Sequence, residues 1–230
     1  MRDGLIGAAI FAAVLAPACG AAQETDDGRP APVPAGPEPW YVSLDMSLGA
    51  VNDPLAEDVH GADQGLEFGA TFGLGYAFER VRLEGQFRYE SFQLDNLYAF
   101  SDSPIAPGDL WGFGVMGNVS YDFGAPGGVR PFLGIGAGFL HLTADYREDN
   151  CFIFCSVGPR VVRGSDTVAA GQAMAGLSVP LTAGVGDWFI GYRFLATDDI
   201  GLNVDGAGPV TLGGVKSHSV MVGVRYRFSP

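Results

Sequence analysis

The chain has 230 residues, 47% hydrophobic and 17% charged, with thirty-five glycines, a single lysine (Lys216) and a formal net charge of -13. That apolar content excludes a disordered chain, the absence of a three-residue glycine period excludes collagen, and the acidity argues against a nucleic-acid partner. Past the N-terminus no run approaches the roughly 18 apolar residues a spanning helix needs, so any bilayer crossing must be made by strands closed into a barrel.

In chain order, residues 1–22 read as a secretory signal: Arg2, the apolar run Leu5 to Leu15, then small residues up to Ala22. Cleavage after Ala22 or after Ala18 satisfies the small-residue rule, and a lipoprotein reading would use Cys19, although Ala16 and Pro17 fit that box poorly. Either way Cys19 leaves the disulfide count. Cys151 and Cys155 remain as an even pair in an exported protein, where a small loop disulfide is expected. Residues 23–39 (QETDDGRPAPVPAGPEP) form a Pro-rich, acidic periplasmic tether that cannot build a core.

From Trp40 the sequence turns to alternation. Trp40, Val42, Leu44, Met46 and Leu48 alternate with Tyr41, Ser43, Asp45, Ser47 and Gly49, and Val81 to Glu90 repeats the pattern. A period of two over ten residues is a strand whose faces meet opposite environments. Eight such strands are expected, at 40–50, 66–77, 81–91, 110–123, 130–142, 166–179, 187–195 and 217–228. Their connections alternate short and long, the asymmetry of an outer-membrane barrel, and an even strand count puts both termini on the periplasmic side. The expected fold is therefore all-β, an eight-stranded antiparallel up-and-down transmembrane barrel over residues 40–228, with bulky apolar groups outward and a narrow polar lumen.

The polar faces carry five acids and five bases: Asp45, Glu67, Glu84, Glu90 and Asp122 against Arg82, Arg88, Arg193, Arg225 and Arg227. Isolated buried charges cost several kcal/mol or more unless paired, so mutual neutralisation is the simplest reading, with Arg193, Arg225 and Arg82 cross-linking Asp45, Glu67 and Glu84. The proposed outer loops, with Asp166 at their rim, hold fourteen acids against four bases. Lipid-facing aromatics fall in two groups, Trp40, Tyr76, Phe78, Tyr121, Phe123, Trp188, Tyr226 and Phe228 at the turn side and Phe87, Tyr89, Trp111, Phe139, Tyr192 and Phe194 nearer the loops, as two interfacial belts require. A soluble barrel is the rival, but its exposed faces should be rich in Lys, Glu and Thr, whereas these carry Gly69, Gly73, Gly75, Gly112 and Gly114, which suit a narrow interior.

Three motifs have plainer readings than their chemistry suggests. GIGAG at Gly134 to Gly138 is followed by no helical pattern, so it reads as close lumen packing and not as a dinucleotide fingerprint. Ser217-His218-Ser219 supplies a nucleophile and a base, but strand neighbours point to opposite faces and no acid stands beside them. Asn118-Val119-Ser120 is a glycosylation sequon inside a strand. No metal or cofactor is expected, since no loop has the ordered ligand spacing of a dedicated calcium site.

The segments RPFLGIGAGF (Arg130 to Phe139), GYRF (Gly191 to Phe194) and HSVMVGVRYRF (His218 to Phe228) resemble the small outer-membrane barrels grouped with opacity proteins and porin-like surface antigens of Gram-negative bacteria, of OmpA/OmpX type. The resemblance implies insertion by the outer-membrane assembly machinery, which reads a C-terminal aromatic; Tyr226 and Phe228 match that signal, although Ser229 and Pro230 follow it. The expected role is structural and surface-facing in the cell outer membrane, with lipid and lipopolysaccharide around the barrel, contacts through four acidic loops whose ligand the barrel does not specify, and no enzymatic activity. A narrow porin-like channel is the first alternative and a lipid-modifying barrel enzyme the second.

Overall fold

Alternating sequence becomes alternating environment. The computed structural model describes residues 40–52, 65–94, 97–98, 104–105, 108–124, 128–147, 161–181, 185–204 and 208–228. The signal, the tether, Cys19, Cys151 and Cys155 lie outside these described residues.

Eight long strands follow one another: β1 (Trp40–Asn52), β2 (Gly65–Phe78), β3 (Val81–Leu94), β4 (Gly108–Asp122), β5 (Arg130–Arg147), β6 (Val161–Pro180), β7 (Gly186–Thr197) and β8 (Lys216–Phe228). Each pairs antiparallel with its chain neighbours, and β8 also pairs with β1 from Trp40↔Phe228 to Asn52↔Lys216. The ring therefore leaves no unpaired edge along its wall, the condition for a sheet to stand in lipid. The β2–β3 turn is only Glu79 and Arg80, and Glu79 takes the left-handed region at φ 48 to make it.

Two departures from the expected elements lie at the loop end. β5 runs on to Arg147 and β6 starts at Val161, each five residues beyond the limits read from sequence, because cross-strand pairing continues from Leu142↔Asp166 to Arg147↔Val161. At 18 and 20 residues these strands exceed the 9–11 that a tilted crossing needs, so they stand above the bilayer. The connection 196–216, expected as an irregular loop, holds a hairpin of Ile200–Val204 with Gly208–Leu212. β7 leaves β6 at Ala170↔Thr197, and the hairpin takes the exposed backbone above it through Asn203↔Arg163 and Val204↔Val162. Strands of five residues are too short for period two to mark them in sequence. Leu97–Tyr98 and Pro104–Ile105 form a further short pair.

Parity decides burial along every long strand. In β2, Glu67, Gly69, Thr71, Gly73 and Gly75 are buried while Leu66, Phe68, Phe72 and Leu74 are exposed. Ile135 is 69% exposed, Leu48 62% and Phe139 59%, an outer surface that water would penalise and acyl chains favour. At the turn end Trp40, Tyr76 and Phe78 pack as a chain of rings, and Tyr121 meets Phe123 edge-on. Nearer the loops Phe87, Tyr89 and Trp111 all contact Phe113.

Candidate functional site: the filled lumen

The inward parity of eight strands stacks three layers inside the barrel. At the turn-end mouth, Asp187 is buried and accepts from Arg130 Nη2 on Oδ1 and from Arg227 Nη2 on Oδ2, both at 2.6 Å. One step inward, Arg82 Nη1 donates to Asp122 Oδ2 at 2.7 Å. Arg225 lies between two aromatic faces, its guanidinium carbon 4.0 Å from the Phe189 ring centre and 5.2 Å from that of Phe132, and donates to Ser178 Oγ at 3.0 Å. Gln86 Nε2 donates to Glu84 Oε1 at 2.5 Å. Each guanidinium is met by carboxylate, hydroxyl or ring face, as a low-dielectric interior demands.

The middle layer is a waist of charge and amide. Arg88 and Arg193 are both fully buried. Arg88 donates to Glu90, through Nε at 2.9 Å and through Nη2, and to Gln172. Gln172 in turn donates to Gln86 Oε1 at 3.2 Å and to Asn118, so one network ties β3, β4 and β6 together. From the opposite wall Arg193 Nη2 donates to Asp45 Oδ1 at 2.8 Å and Nη1 to Ser47 Oγ at 3.4 Å, joining β7 to β1. Glu67 is wholly buried and neither carboxylate oxygen has a partner.

The third layer is apolar. Phe92, Leu110, Leu140, Leu142, Val168 and Leu195 belong to one buried cluster with Val51, Ile200 and Val215. Of these, Phe92, Leu140, Leu142, Leu195 and Ile200 have no accessible surface. The loop end of the lumen is therefore stoppered by hydrocarbon.

The ten lumen charges expected from sequence all lie on inward parity, but their pairing differs from the expected one. Arg193 does meet Asp45. Arg82 pairs with Asp122 and not with Glu84, because Asp122 is its diagonal neighbour across the Arg82↔Ser120 register. Arg225 takes rings and a hydroxyl, and Glu67, flanked by Gly49 and Phe92, has no arginine on either side. Arg130 and Asp187, the first residues of two expected strands and outside the ten expected lumen charges, belong to the mouth; Asp187 shares the parity of Arg193, and Arg130 that of Gly134, which is the signal that finds them. The same parity test finds Gln86, Asn118 and Gln172.

GIGAG serves packing: Gly136 faces the Asn118 side chain across the β4–β5 pair, where a Cβ would overlap the amide. Ser217 and Ser219 point inward and are buried, whereas His218 points outward to hydrogen-bond Tyr192 and stack on Phe194. His141, also outward, meets Thr167 Oγ1 at 3.0 Å. Among the described residues no three His, Cys, Asp or Glu side chains converge on a metal-sized site.

Known proteins with this architecture place it. The family model for the outer membrane protein beta-barrel domain matches residues 9–228. Neisserial surface protein A is similar in structure, at 18% identity and TM-score 0.53, over 82% of this chain and 97% of that one. OprG of Pseudomonas aeruginosa (13% identity, TM-score 0.48, 84% and 97% covered) and Ail of Yersinia pestis (15%, 0.42, 82% and 97%) are more distant. No curated protein sequence matches. With a closed eight-stranded wall, an apolar outer band and a family match spanning nearly all of the chain, the protein belongs to the outer membrane protein β-barrel family and resides in the outer membrane.

Proposed function

We propose that this barrel is a non-conducting, non-catalytic element of the outer membrane, contributing to envelope integrity and making contacts through its acidic loops. The observation that carries the reading is the filled cross-section: Arg193 bridges over β8 to join β7 to β1, Arg88 reaches from β3 to the Gln172 amide on β6, and both lie under a cap of hydrocarbon. An ion crossing this path would have to shed its water among side chains already committed to one another. On the same reading the surroundings are outer-membrane lipid and lipopolysaccharide, and the assembly machinery engages the end of β8, where Tyr226 and Phe228 face outward. The separation of His218 from Ser217 and Ser219 across the wall supports a non-enzymatic role.

Single-channel recording of refolded protein in a planar bilayer tests this. The expected result is an electrically silent bilayer; steady conductance that changes on Arg193→Ala would replace the reading with a narrow channel. Lipid A products that vanish on His218→Ala would replace it with a lipid-modifying enzyme.

A further inference from the structure

The outer face of the barrel is not evenly filled. A groove of about 570 Å3, lined almost wholly by apolar groups, crosses it from β3 to β7, and its volume is that of a small-ligand site. Ala173 and Ala175, outward on β6, are its low ground: Ala175 pairs with Leu133 on β5 and with Tyr192 on β7, and Ala173 pairs with Ile135. Two methyl groups thus stand among long side chains, of which Leu133 and Ile135 are more than half exposed. The groove continues past Val119 to Val81 and Tyr121, which pair with each other at the turn end of the wall. On β6 the outward Leu177 and Val179 separate Ala175 from its own turn. The groove therefore starts at the interface on β3 and β4 and ends at depth on β6.

Its shallow end lies beside charge. Glu79 and Arg80 make the β2–β3 turn, and both are exposed. The Arg80 carbonyl accepts from Asp122 N at 2.7 Å, which holds the turn against β4, and the Arg80 guanidinium reaches the hydroxyl of Tyr121. By contrast Arg82 with Asp122, and Arg130 and Arg227 with Asp187, are turned inward and spent on one another. A cation and an anion thus stand side by side where a hydrocarbon groove meets the membrane boundary.

Short turns of such a barrel face the periplasm, so this boundary is the headgroup level of the inner leaflet. A guanidinium suits a phosphate, and a carboxylate next to it suits an ammonium and disfavours further negative charge. We propose that the barrel holds one aminophospholipid of the periplasmic leaflet, its phosphate on Arg80 and Tyr121, its ammonium on Glu79 and one acyl chain in the groove over Ala173 and Ala175. The groove runs from the charged turn into the depth of the bilayer, which is the course an acyl chain takes from its headgroup.

The test titrates protein refolded into a non-ionic detergent with phosphatidylethanolamine, phosphatidylglycerol and diacylglycerol of identical acyl chains, and with soluble phosphoethanolamine. Native mass spectrometry counts the retained lipid and unfolding midpoints report its binding. The expected result is one phosphatidylethanolamine per barrel and a midpoint that rises with its concentration, because a ligand of the folded state stabilises by mass action. Phosphatidylglycerol should be held more weakly, and diacylglycerol and phosphoethanolamine should leave the midpoint unchanged. Arg80→Ala should weaken retention on the order of tenfold, the worth of one hydrogen bond to a charged group. Ala175→Phe, outward and clear of the lumen, should abolish retention by filling the groove, and Glu79→Gln should erase the preference over phosphatidylglycerol. Equal retention of phosphatidylethanolamine and diacylglycerol, or retention untouched by both Arg80→Ala and Ala175→Phe, would overturn the site in favour of ordinary annular lipid. Stabilisation by phosphoethanolamine alone would overturn the role of the groove. A lipid on the outer wall leaves the lumen as it is, so failure of this site and failure of electrical silence are separate results.

Discussion

Arg193 and Asp45 illustrate what one residue does inside this wall. Both side chains are essentially without solvent and each is the other's ion partner, so removing one strands the other. Arg193→Met should lower stability by about 3–5 kcal/mol, the cost of an orphaned buried charge, and Arg193→Met/Asp45→Leu should recover much of that loss. Urea midpoints of the refolded variants would read both. Gly69 makes the opposite demand: its missing side chain leaves room for Ser47 Oγ and Glu90 Oε2, so Gly69→Val should destabilise by about 1–3 kcal/mol through overpacking, while Gly85→Val, on the open outer face, should be neutral. Glu79 holds φ 48 in a two-residue turn, a conformation that costs a non-glycine residue about 1 kcal/mol. Glu79→Gly should accordingly raise the unfolding midpoint.

At the scale of the element, strand positions in the membrane were legible because lipid and lumen impose opposite polarity on successive residues, as in Val81 to Glu90. The turn ends fell close to expectation for the same reason. Above the bilayer that constraint lapses: β5 and β6 climb five residues further, and Ile200–Val204 pairs with Gly208–Leu212, because open backbone and not a membrane slab dictates pairing there. The lumen charges were legible by parity, their partners were not. Which carboxylate an arginine meets depends on diagonal reach across staggered strands, and Arg82 with Asp122 shows it. The apolar cap went unread for a different reason: Phe92 shares the parity of Glu90, Leu140 and Leu142 that of Gly138, and Leu195 that of Arg193, but large apolar side chains suit the lipid face by chemistry, and only parity puts them inside. Leu140→Ala should cost about 2–5 kcal/mol through the cavity it leaves, yet keep the bilayer silent, because the waist below it stays intact. In β8, Phe228 pairs with Trp40 at the closing seam, and Phe228→Ala should reduce the amount of barrel recovered in the outer membrane.

For the whole molecule, one inversion organises the rest. Bulk apolar surface lies outside, where Ile135, Leu48 and Val220 are more than half exposed, and charge lies inside, where Arg88 and Arg193 are not exposed at all. The closed ring makes this arrangement stable in a bilayer, since every strand of the wall finds partners on both sides and polar side chains inside solvate one another. Spin labels placed singly at Leu83, Val115 and Val222, and at Thr71 and Ser43, in protein reconstituted into lipid vesicles, test the inversion most directly. The outward three should relax with oxygen and ignore a water-soluble nickel chelate, and the inward two should respond to neither. Collisions of the nickel chelate with Leu83, Val115 and Val222 across the whole band would contradict a lipid-facing surface and the lumen assignment with it.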